Sequence, residues 1–487
     1  MGQTATQSQP GSPARGLAET LNYRLVAALS ERRTRRIARG TSISAGPLSH
    51  VSSNPPAPLS ALEEAVLIVS TGLVGISMHD VPLRRGDGIF MDGTPQMSIP
   101  SVAASSADNA QATHFILIND EGTWLLQHPQ GRNALAWMKE FPPDRSQWTE
   151  DQWIAAAATM KRKLYPERLD FPRRWPYYFA WNKVISNRPG TTIFLPLVDT
   201  TRQMINVLFI LLSEPDGERP LILDDWSKFR PKKLIEWAAW FGSLLRLVPK
   251  ITYQPVAGIE RVRSKWLQSD YPVPLGLAST MRTDYEALLH LQNLMLLTHC
   301  MGLGGWIHAA VGAPYVFERD PSKGTFGLGF RMTEPKKWRS WPPLPAPLPN
   351  PVGLDGVLEA LCPPYVKSMD DAVERVYEEK FGAGGVYGDR QVFSAAYRSP
   401  EFAEAYFRTA ERPTKETIQY VKDVCNYVYD TYGRFPAHVN AIHVPGVWLQ
   451  VSHLEIEYYD KFFDQNLYSW QARHDEVWGD HSPGGGR

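Results

Sequence analysis

The sequence predicts an α+β protein, because segments with helical spacing and short runs with the length of strands both occur along its 487 residues. Apolar residues recur at helical spacing in residues 284–300 and 414–432. Apolar runs of strand length lie at residues 115–118, 192–197 and 207–212. A chain of this length buries a large core and is expected to form two or three structural units.

The first residues are rich in Ser, Thr, Gln, Gly and Pro, so residues 1–15 are predicted to be a disordered tail. A helix is expected over residues 17–29, where leucines recur near one face. The basic run Arg32-Arg33-Thr34-Arg35-Arg36 follows the end of this helix. Guanidinium groups bind phosphate oxygens in pairs and the Thr34 hydroxyl adds a donor, which favours a phosphate site. The alternatives are a solvated basic run and a nucleic-acid or targeting patch.

A second helix is predicted to begin at Ser60. Glu63 follows three residues later, which is the spacing of a capping box, and apolar residues continue to Val69. Glycines and prolines interrupt any regular element in residues 71–100.

The small, polar loop of residues 105–111 leads into the predicted strand at residues 115–118. Short side chains let a backbone approach a flat ligand closely, and the amides of Asn109 and Gln111 each donate and accept hydrogen bonds. The strand gives the loop a rigid support. Ser106, Asn109 and Gln111 are therefore candidate ligand-binding residues, with an ordinary surface loop as the alternative.

The helix predicted over residues 284–300 ends at a glycine cluster that contains Gly302, Gly304 and Gly305. Glycine at a helix C-terminus supplies the left-handed residue that stops the helix. It also lets backbone N–H groups come near a ligand. The segment is thus either a core helix with an ordinary stop or part of a binding site.

Taken in this order, the three segments resemble the nitroreductase family of FMN-dependent oxidoreductases. The Arg-Arg-Ser-x-Arg motif of that family is matched by residues 32–36, and its Pro-Ser-x-x-Asn-x-Gln loop by residues 105–111. Its Gln-Asn-Leu-x-Leu-x-Ala-x-x-x-Gly-Leu-Gly helix is matched by residues 292–304. Two departures stand out: no proline precedes the serine of the loop, and Trp306-Ile307-His308-Ala309 replaces the Pro-x-Glu-Gly segment of many members.

The resemblance implies an FMN site. Its phosphate and ribityl contacts would come from Arg32, Arg33, Thr34 and Arg36, its ring contacts from Ser106, Asn109 and Gln111, and its close backbone approach from Gly304 and Gly305. We assign no catalytic acid or base, because the flavin carries the hard chemistry and the protein orients it.

The resemblance also implies a central, mostly antiparallel sheet flanked by helices, and a homodimer with flavins at the subunit interface. The implied reaction moves two electrons from NAD(P)H through FMN to an electron-poor acceptor, such as a nitroaromatic or quinone-like compound. The alternative is a non-catalytic flavin-binding or interaction protein on the same scaffold. The missing Pro-x-Glu-Gly segment and the long extensions keep that alternative open.

The resemblance divides the chain into four parts. Residues 16–130 and 251–340 would form the flavin-binding core, and residues 131–250, which are rich in Trp and Tyr, an inserted subdomain. This insertion either caps a flavin and selects an aromatic substrate or serves as a packing subdomain. A proline-dense connector precedes a mainly helical C-terminal extension over residues 352–480.

Composition excludes several partners. The 51 basic residues are balanced by 51 acidic ones, which argues against a broad nucleic-acid surface. The chain contains no apolar stretch of about 18 residues, so no membrane span is predicted. The three cysteines are widely spaced, which argues for a reducing compartment and predicts a cytoplasmic location.

A local cluster of His and carboxylate residues raises the question of a metal. A helix would place His453 and Glu457, four residues apart, on one face. The neighbouring prolines and the spacing fit no established ligand pattern, so no metal site is predicted there. The other members of the cluster are His438, His443, Glu455 and Asp460.

Overall fold

The computed structural model describes residues 11–76, 101–106, 110–180, 182–214, 218–226, 254–256, 259–278, 282–311, 313–334, 349–385, 388–409, 412–439 and 446–479. The helices of these residues are α1 (Pro13–Leu21), α2 (Leu25–Glu31), α3 (Ala61–Ser70), α4 (Gly131–Glu140), α5 (Glu150–Met160), α6 (Asn182–Ile185), α7 (Thr200–Leu211), α8 (Ile259–Arg263), α9 (Arg282–Cys300), α10 (Ala313–Phe317), α11 (Met369–Phe381), α12 (Arg390–Ser394), α13 (Pro400–Thr409), α14 (Lys415–Tyr432), α15 (Ile456–Phe462), α16 (Ser469–Ala472) and α17 (His474–Trp478).

The strands are β1 (Leu73–Gly75), β2 (Ser101–Val102), β3 (Thr113–Asn119), β4 (Gly122–Leu126), β5 (Lys161–Tyr165), β6 (Thr192–Asp199), β7 (Pro220–Asp224), β8 (Gln254–Pro255), β9 (Gln268–Pro274), β10 (Gly304–Val311), β11 (Arg319–Asp320), β12 (Thr325–Phe326), β13 (Arg331–Thr333), β14 (Asn350–Leu354), β15 (Leu358–Glu359), β16 (His438–Val439) and β17 (Gly446–Ser452). Short 3-10 turns lie at Arg145–Gln147, Pro321–Lys323 and Gln465–Leu467.

The central sheet has the strand order β10-β17-β6-β3-β4-β5, and β16 also pairs with β6. Every pairing within it is antiparallel. The described chain is thus a mixture of helices and strands around a mostly antiparallel sheet, as the sequence predicts. A parallel pairing, between β7 and β9, occurs in a smaller sheet.

Both faces of the central sheet are covered. All eight residues of β6 are buried, and alternate side chains of the neighbouring strands point into two different cores. On one face, Phe115, Phe194 and Leu449 pack with residues of α3, α5 and α9. On the other face, Ile116, Leu195 and Trp448 pack with an aromatic layer that includes Tyr178.

The sheet crosses the domain boundaries predicted from the sequence. Strand β6 comes from the predicted insertion, β17 from the predicted C-terminal extension, and β3, β4 and β10 from the predicted core. Strand β6 lies between β17 and β3. In these stretches the predicted insertion and extension are therefore parts of one sheet with the predicted core, rather than additions outside it.

Several sequence signals have the predicted local structure. Ser60 accepts a hydrogen bond from the Glu63 N–H, and the Glu63 side chain accepts one from the Ser60 N–H, so the capping box forms. Helix α14 is capped by Thr414 and ends at Gly433, which has φ 68°. The sequence Asn119-Asp120-Glu121-Gly122 predicts a turn, and β3 and β4 are joined there, with Asn119 paired to Gly122.

Three predicted elements are corrected. Residues 207–212 belong to helix α7 and not to a strand, because Asp199 caps a helix that is buried along most of its length. When every side of a segment is buried, its apolar residues show neither helical nor strand periodicity, so the sequence does not distinguish a helix from a strand. The predicted helix over residues 17–29 is two helices, α1 and α2. Helix α1 begins at Pro13 after the Ser12 cap, so the tail predicted over residues 1–15 ends before that point.

The apolar residues of segment 234–247 recur at helical spacing and predict a helix, but these residues, like most of the proline-dense connector, lie outside the described residues. Among the described residues, no helix combines the length and the apolar character that crossing a bilayer requires.

Candidate functional site

The arginine run lies beside the glycine cluster that follows helix α9. Arg32 is the C-cap residue of α2, and the chain then passes β10 so that the Arg35 carbonyl lies 3.2 Å from the Cβ position of Gly304. The guanidinium carbon of Arg36 is 5.7 Å from the Trp306 ring centroid. Two of the three segments that the sequence predicts to form a site therefore meet.

The charges of this run are uncompensated in the part of the chain that the structure describes. No carboxylate there forms an ion pair with Arg32, Arg33, Arg35 or Arg36. The guanidinium groups of Arg32, Arg33 and Arg35 bond instead to the Thr34 hydroxyl or to backbone carbonyls, such as that of Leu467 at 2.7 Å from Arg35. Arg33, Thr34 and Arg36 are exposed. Exposed guanidinium groups without carboxylate partners attract anions, phosphate above all.

Gly304 and Gly305 are required for close packing within the protomer. A Cβ on Gly304 would collide with the side chain of Leu454, and one on Gly305 would lie 2.7 Å from Cγ2 of Thr298. Both glycines are buried. The space that their missing side chains leave is therefore filled by this chain, and their predicted approach to a flavin finds no open surface there.

Ser106 and Gln111 lie at the other end of α9. The Ser106 hydroxyl donates to the Glu286 carboxylate and accepts from the Gln111 N–H at 3.0 Å. The other carboxylate oxygen of Glu286 accepts from the N–H groups of Ala112 and Thr113, each at 2.9 Å. The first turns of α9 thus hold the loop in place. Asn109, the third predicted residue of the loop, lies outside the described residues.

The two parts of the predicted site are well separated within one protomer. Glu286, which holds Ser106, and Cys300, which precedes the glycine cluster, are on the same helix. Fourteen residues of α-helix rise by about 21 Å. One protomer therefore does not bring Ser106 and Gln111 to the arginine run.

An exposed apolar face lies between these ends. On α2, Leu25, Val26 and Leu29 are 65%, 76% and 58% exposed. On α9, against which α2 packs, Tyr285 and Leu289 are also exposed. The leucine spacing of this first stretch predicts a single helix with Leu17, Leu25 and Leu29 near one face. The stretch is instead divided into α1 and α2, and Leu17 is buried whereas Leu25 and Leu29 are exposed.

A second polar cluster is buried next to the first glycine after α9, where Cβ of His474 lies 3.5 Å from the Cβ position of Gly302. One carboxylate oxygen of Glu63, Oε1, lies 3.1 Å from Nε2 of His453 and 2.9 Å from Nε2 of His474. The three side chains are 0%, 3% and 6% exposed. Burial by itself would raise the pKa of Glu63, but the two histidines hold it well below its usual value.

No local sequence pattern predicts this cluster. The spacing of His453 and Glu457 would place them on one face of a helix, but α15 begins only at Ile456, so no helix does so. His453 instead follows β17 and turns toward α3, while His474 arrives from the far end of the chain. Glu63 is recognised only as a capping residue. Because Glu63 and His453 are 390 positions apart, no local spacing connects them.

Comparisons of the chain with protein families, with curated proteins and with solved structures found no match.

Proposed function

We propose that the protein is an FMN-dependent oxidoreductase whose flavin sites form between two copies of the chain. The observation that carries this proposal is the placement of the predicted binding residues. The uncompensated arginines lie at the C-terminal end of α9, Ser106 and Gln111 lie at its N-terminal end, and an exposed apolar face lies between them.

A two-fold axis that passes near the middle of α9 and is perpendicular to the helix would account for this placement. In an isologous dimer, helix α9 of one protomer runs antiparallel to α9 of its partner. The N-terminal end of one helix then lies beside the C-terminal end of the other. Such a dimer buries the apolar face of α2 and α9 and joins the arginine run of one protomer to the Ser106 loop of its partner, twice.

The charged and the neutral residues of the site would contact different parts of FMN. Arg32, Arg33 and Arg36, with the Thr34 hydroxyl, would bind the phosphate through charge-assisted hydrogen bonds. The polar loop of the other protomer would orient the ring system. Bound FMN supplies two-electron chemistry: it accepts hydride from NADH or NADPH and passes the electrons to an electron-poor acceptor.

The second candidate is a flavin-binding protein without turnover. It is favoured by Trp306, which is buried and stacks on His308 with ring centroids 3.3 Å apart, where the resembling family has Pro-x-Glu-Gly. A large aromatic pair at this position leaves less room for a nicotinamide or an acceptor near the flavin.

The test is the absorbance spectrum of the full-length protein as isolated and after incubation with FMN. The proposal expects flavin bands that bleach anaerobically on addition of NADH or NADPH, in a sample that is dimeric by light scattering. A dimer that keeps its flavin bands under both nucleotides supports the second candidate. A colourless monomer that does not bind FMN contradicts both.

A further inference from the structure

We propose that Glu63, His453 and His474 form a binding site for one divalent transition-metal ion of the zinc class. This site is separate from the proposed flavin function and does not depend on it. Two imidazoles and one carboxylate are a ligand set that suits zinc and related first-row ions.

The donor atoms already converge. Oε1 of Glu63 lies 2.9 and 3.1 Å from the two Nε2 atoms, and one donor atom from each residue lies within 4.8 Å of the others. Ligand atoms on a tetrahedral zinc ion, with bonds of about 2.0–2.1 Å, are about 3.3 Å apart. The two Glu63–imidazole distances therefore need to open by only a few tenths of an ångström to accept an ion.

The outer nitrogen atoms of both imidazoles are fixed by backbone carbonyls. Nδ1 of His453 lies 3.0 Å from the Ala57 carbonyl, and Nδ1 of His474 lies 2.9 Å from the Met301 carbonyl. A carbonyl only accepts, so each Nδ1 carries a proton. In the neutral tautomer each Nε2 therefore directs a lone pair toward Glu63, as metal-binding histidines do.

The carboxylate is oriented in the same way. The Ser60 N–H donates to Oε2 of Glu63 at 2.7 Å, which leaves Oε1 facing the imidazoles. Two nitrogen lone pairs and one carboxylate oxygen then meet in a buried space, and such a group needs a cation between its members. Either additional protons or one metal ion meet this need, and the fixed outer nitrogens match the metal arrangement.

A neighbouring buried carboxylate, that of Glu455, has a different set of partners. Glu455 lies 3.7 Å from His50, and its oxygens already accept hydrogen bonds from the Gly40 N–H, the Ser52 hydroxyl and the Asn54 amide. Those donors occupy acceptor sites of Glu455. At Glu63, one carboxylate oxygen lies close to two imidazoles.

The position of the site defines its role. It joins the first turn of α3, the end of β17 and the start of α17. These segments are up to 411 residues apart in the chain, a separation taken from the numbers of Glu63 and His474. An ion that cross-links such distant segments stabilises the native state, because it removes the entropy of long loops.

The experiment measures zinc binding to full-length, tag-free protein that has been stripped with a chelator. We expect uptake of one equivalent of Zn²⁺ with submicromolar affinity and a rise in Tm that EDTA reverses. Added Co²⁺ should give visible d–d bands that Zn²⁺ removes. Glu63→Gln and His474→Gln should each weaken zinc binding at least about 10-fold. His290→Gln, which changes another buried histidine, should leave zinc binding as it is.

Wild-type protein that takes up no zinc and shows no change in Tm overturns the proposal, whether or not the variants fold. Uptake that survives both Glu63→Gln and His474→Gln in folded protein also overturns it, since the ion is then bound elsewhere. Both results leave the flavin bands of the protein unaffected, so they are distinguishable from failure of the proposed function.

Discussion

The arginine run and the cluster of Glu63, His453 and His474 both lie near the glycines that follow α9, yet they are opposite kinds of polar site. The four arginines lie within five residues and carry charges of one sign, and Arg33 and Arg36 are exposed. The cluster combines a carboxylate with two imidazoles, is buried, and comes from three distant segments. Water screens the first group, so its charges remain available to a ligand. The second group has lost its water, so its members depend on one another or on an ion.

This difference in burial and charge determines how each site affects the stability of the fold. A solvated like-charge run costs the fold little and contributes little to it, and it is suited to binding an anion. The buried cluster of one carboxylate and two imidazoles is held in place by the fold, and it in turn links three segments of the chain. Variants of the arginine run should therefore change ligand binding with little effect on stability, whereas variants of the buried cluster should change stability.

The largest expected effect is that of Glu63→Gln on stability. Glutamine keeps the capping box, since either Glu or Gln closes it, but it removes the charge that the two imidazoles face. Breaking a buried charge pair in this way costs about 3–5 kcal/mol. Thermal unfolding followed by circular dichroism should show a clear fall in Tm. Ser60→Ala, which loses the cap and costs about 1 kcal/mol, calibrates the measurement. A Glu63→Gln variant as stable as the wild type would show that the cluster is not needed by the fold.

The next effect is that of Arg33→Ala on FMN affinity. Loss of a charge-assisted bond to phosphate costs about 1.5–3 kcal/mol, which is more than a tenfold rise in Kd. The same variant should unfold within about 0.5 kcal/mol of the wild type, because Arg33 is exposed. Arg24→Ala, on an exposed arginine outside the run, is the matched control for titration of flavin fluorescence. Equal affinities for FMN in the two variants would remove the arginine run from the site.

The contrast also explains how much of the molecule is predictable from its sequence. Signals that depend on neighbours in the chain lead to the right structure: the capping box at Ser60, the stop of α9 at Gly302 and the helix before Gly433 are all present. Each of these depends on hydrogen bonds within a few residues. The mixture of helices and strands belongs to the same group, because short periodic elements indicate it, whereas the mostly antiparallel sheet is implied only by the family resemblance.

What the sequence does not reveal depends on long-range contacts. The α7 segment is apolar on all sides, so its pattern does not distinguish a buried helix from a strand. The pairing of β6 with β17 joins residues from two predicted units, and no local signal indicates it. The partners of Glu63 likewise depend on which distant segments of the chain meet in the folded state. The flavin assignments for Arg32, Ser106 and Gln111 stay predictions.

A smaller effect is expected at the apolar face between the two ends of α9. Val26 is 76% exposed in the protomer, and its burial in the proposed dimer should contribute about 1–2 kcal/mol per protomer. Val26→Glu should therefore shift the dimer toward monomer at low micromolar concentration in analytical ultracentrifugation and lower the affinity for FMN. Phe402→Glu, on an exposed residue of α13, should change neither. A Val26→Glu variant that dimerises as well as the wild type would rule out this face as the interface.

The smallest expected effect concerns Asp284, which lies between the two regions in exposure. Its Oδ1 has no hydrogen-bond partner among the described residues, and burial raises its pKa to about 7. A carboxyl whose pKa is higher in the folded than in the unfolded state binds its proton more tightly when folded. Its contribution to stability is therefore greatest at low pH and is lost as the pH rises between about 4 and 7.

Asp284→Asn removes this titration, so the variant should gain stability over the wild type across that pH range and keep the gain above it. Partial exposure screens the charge, so a gain of about 1 kcal/mol is expected at pH 8 and none at pH 4. Tm measured at both pH values, with Asp270→Asn on an exposed residue of β9 as the control, gives the comparison. An Asp284→Asn variant whose difference from the wild type is the same at both pH values would show that Asp284 is as well solvated as the arginines.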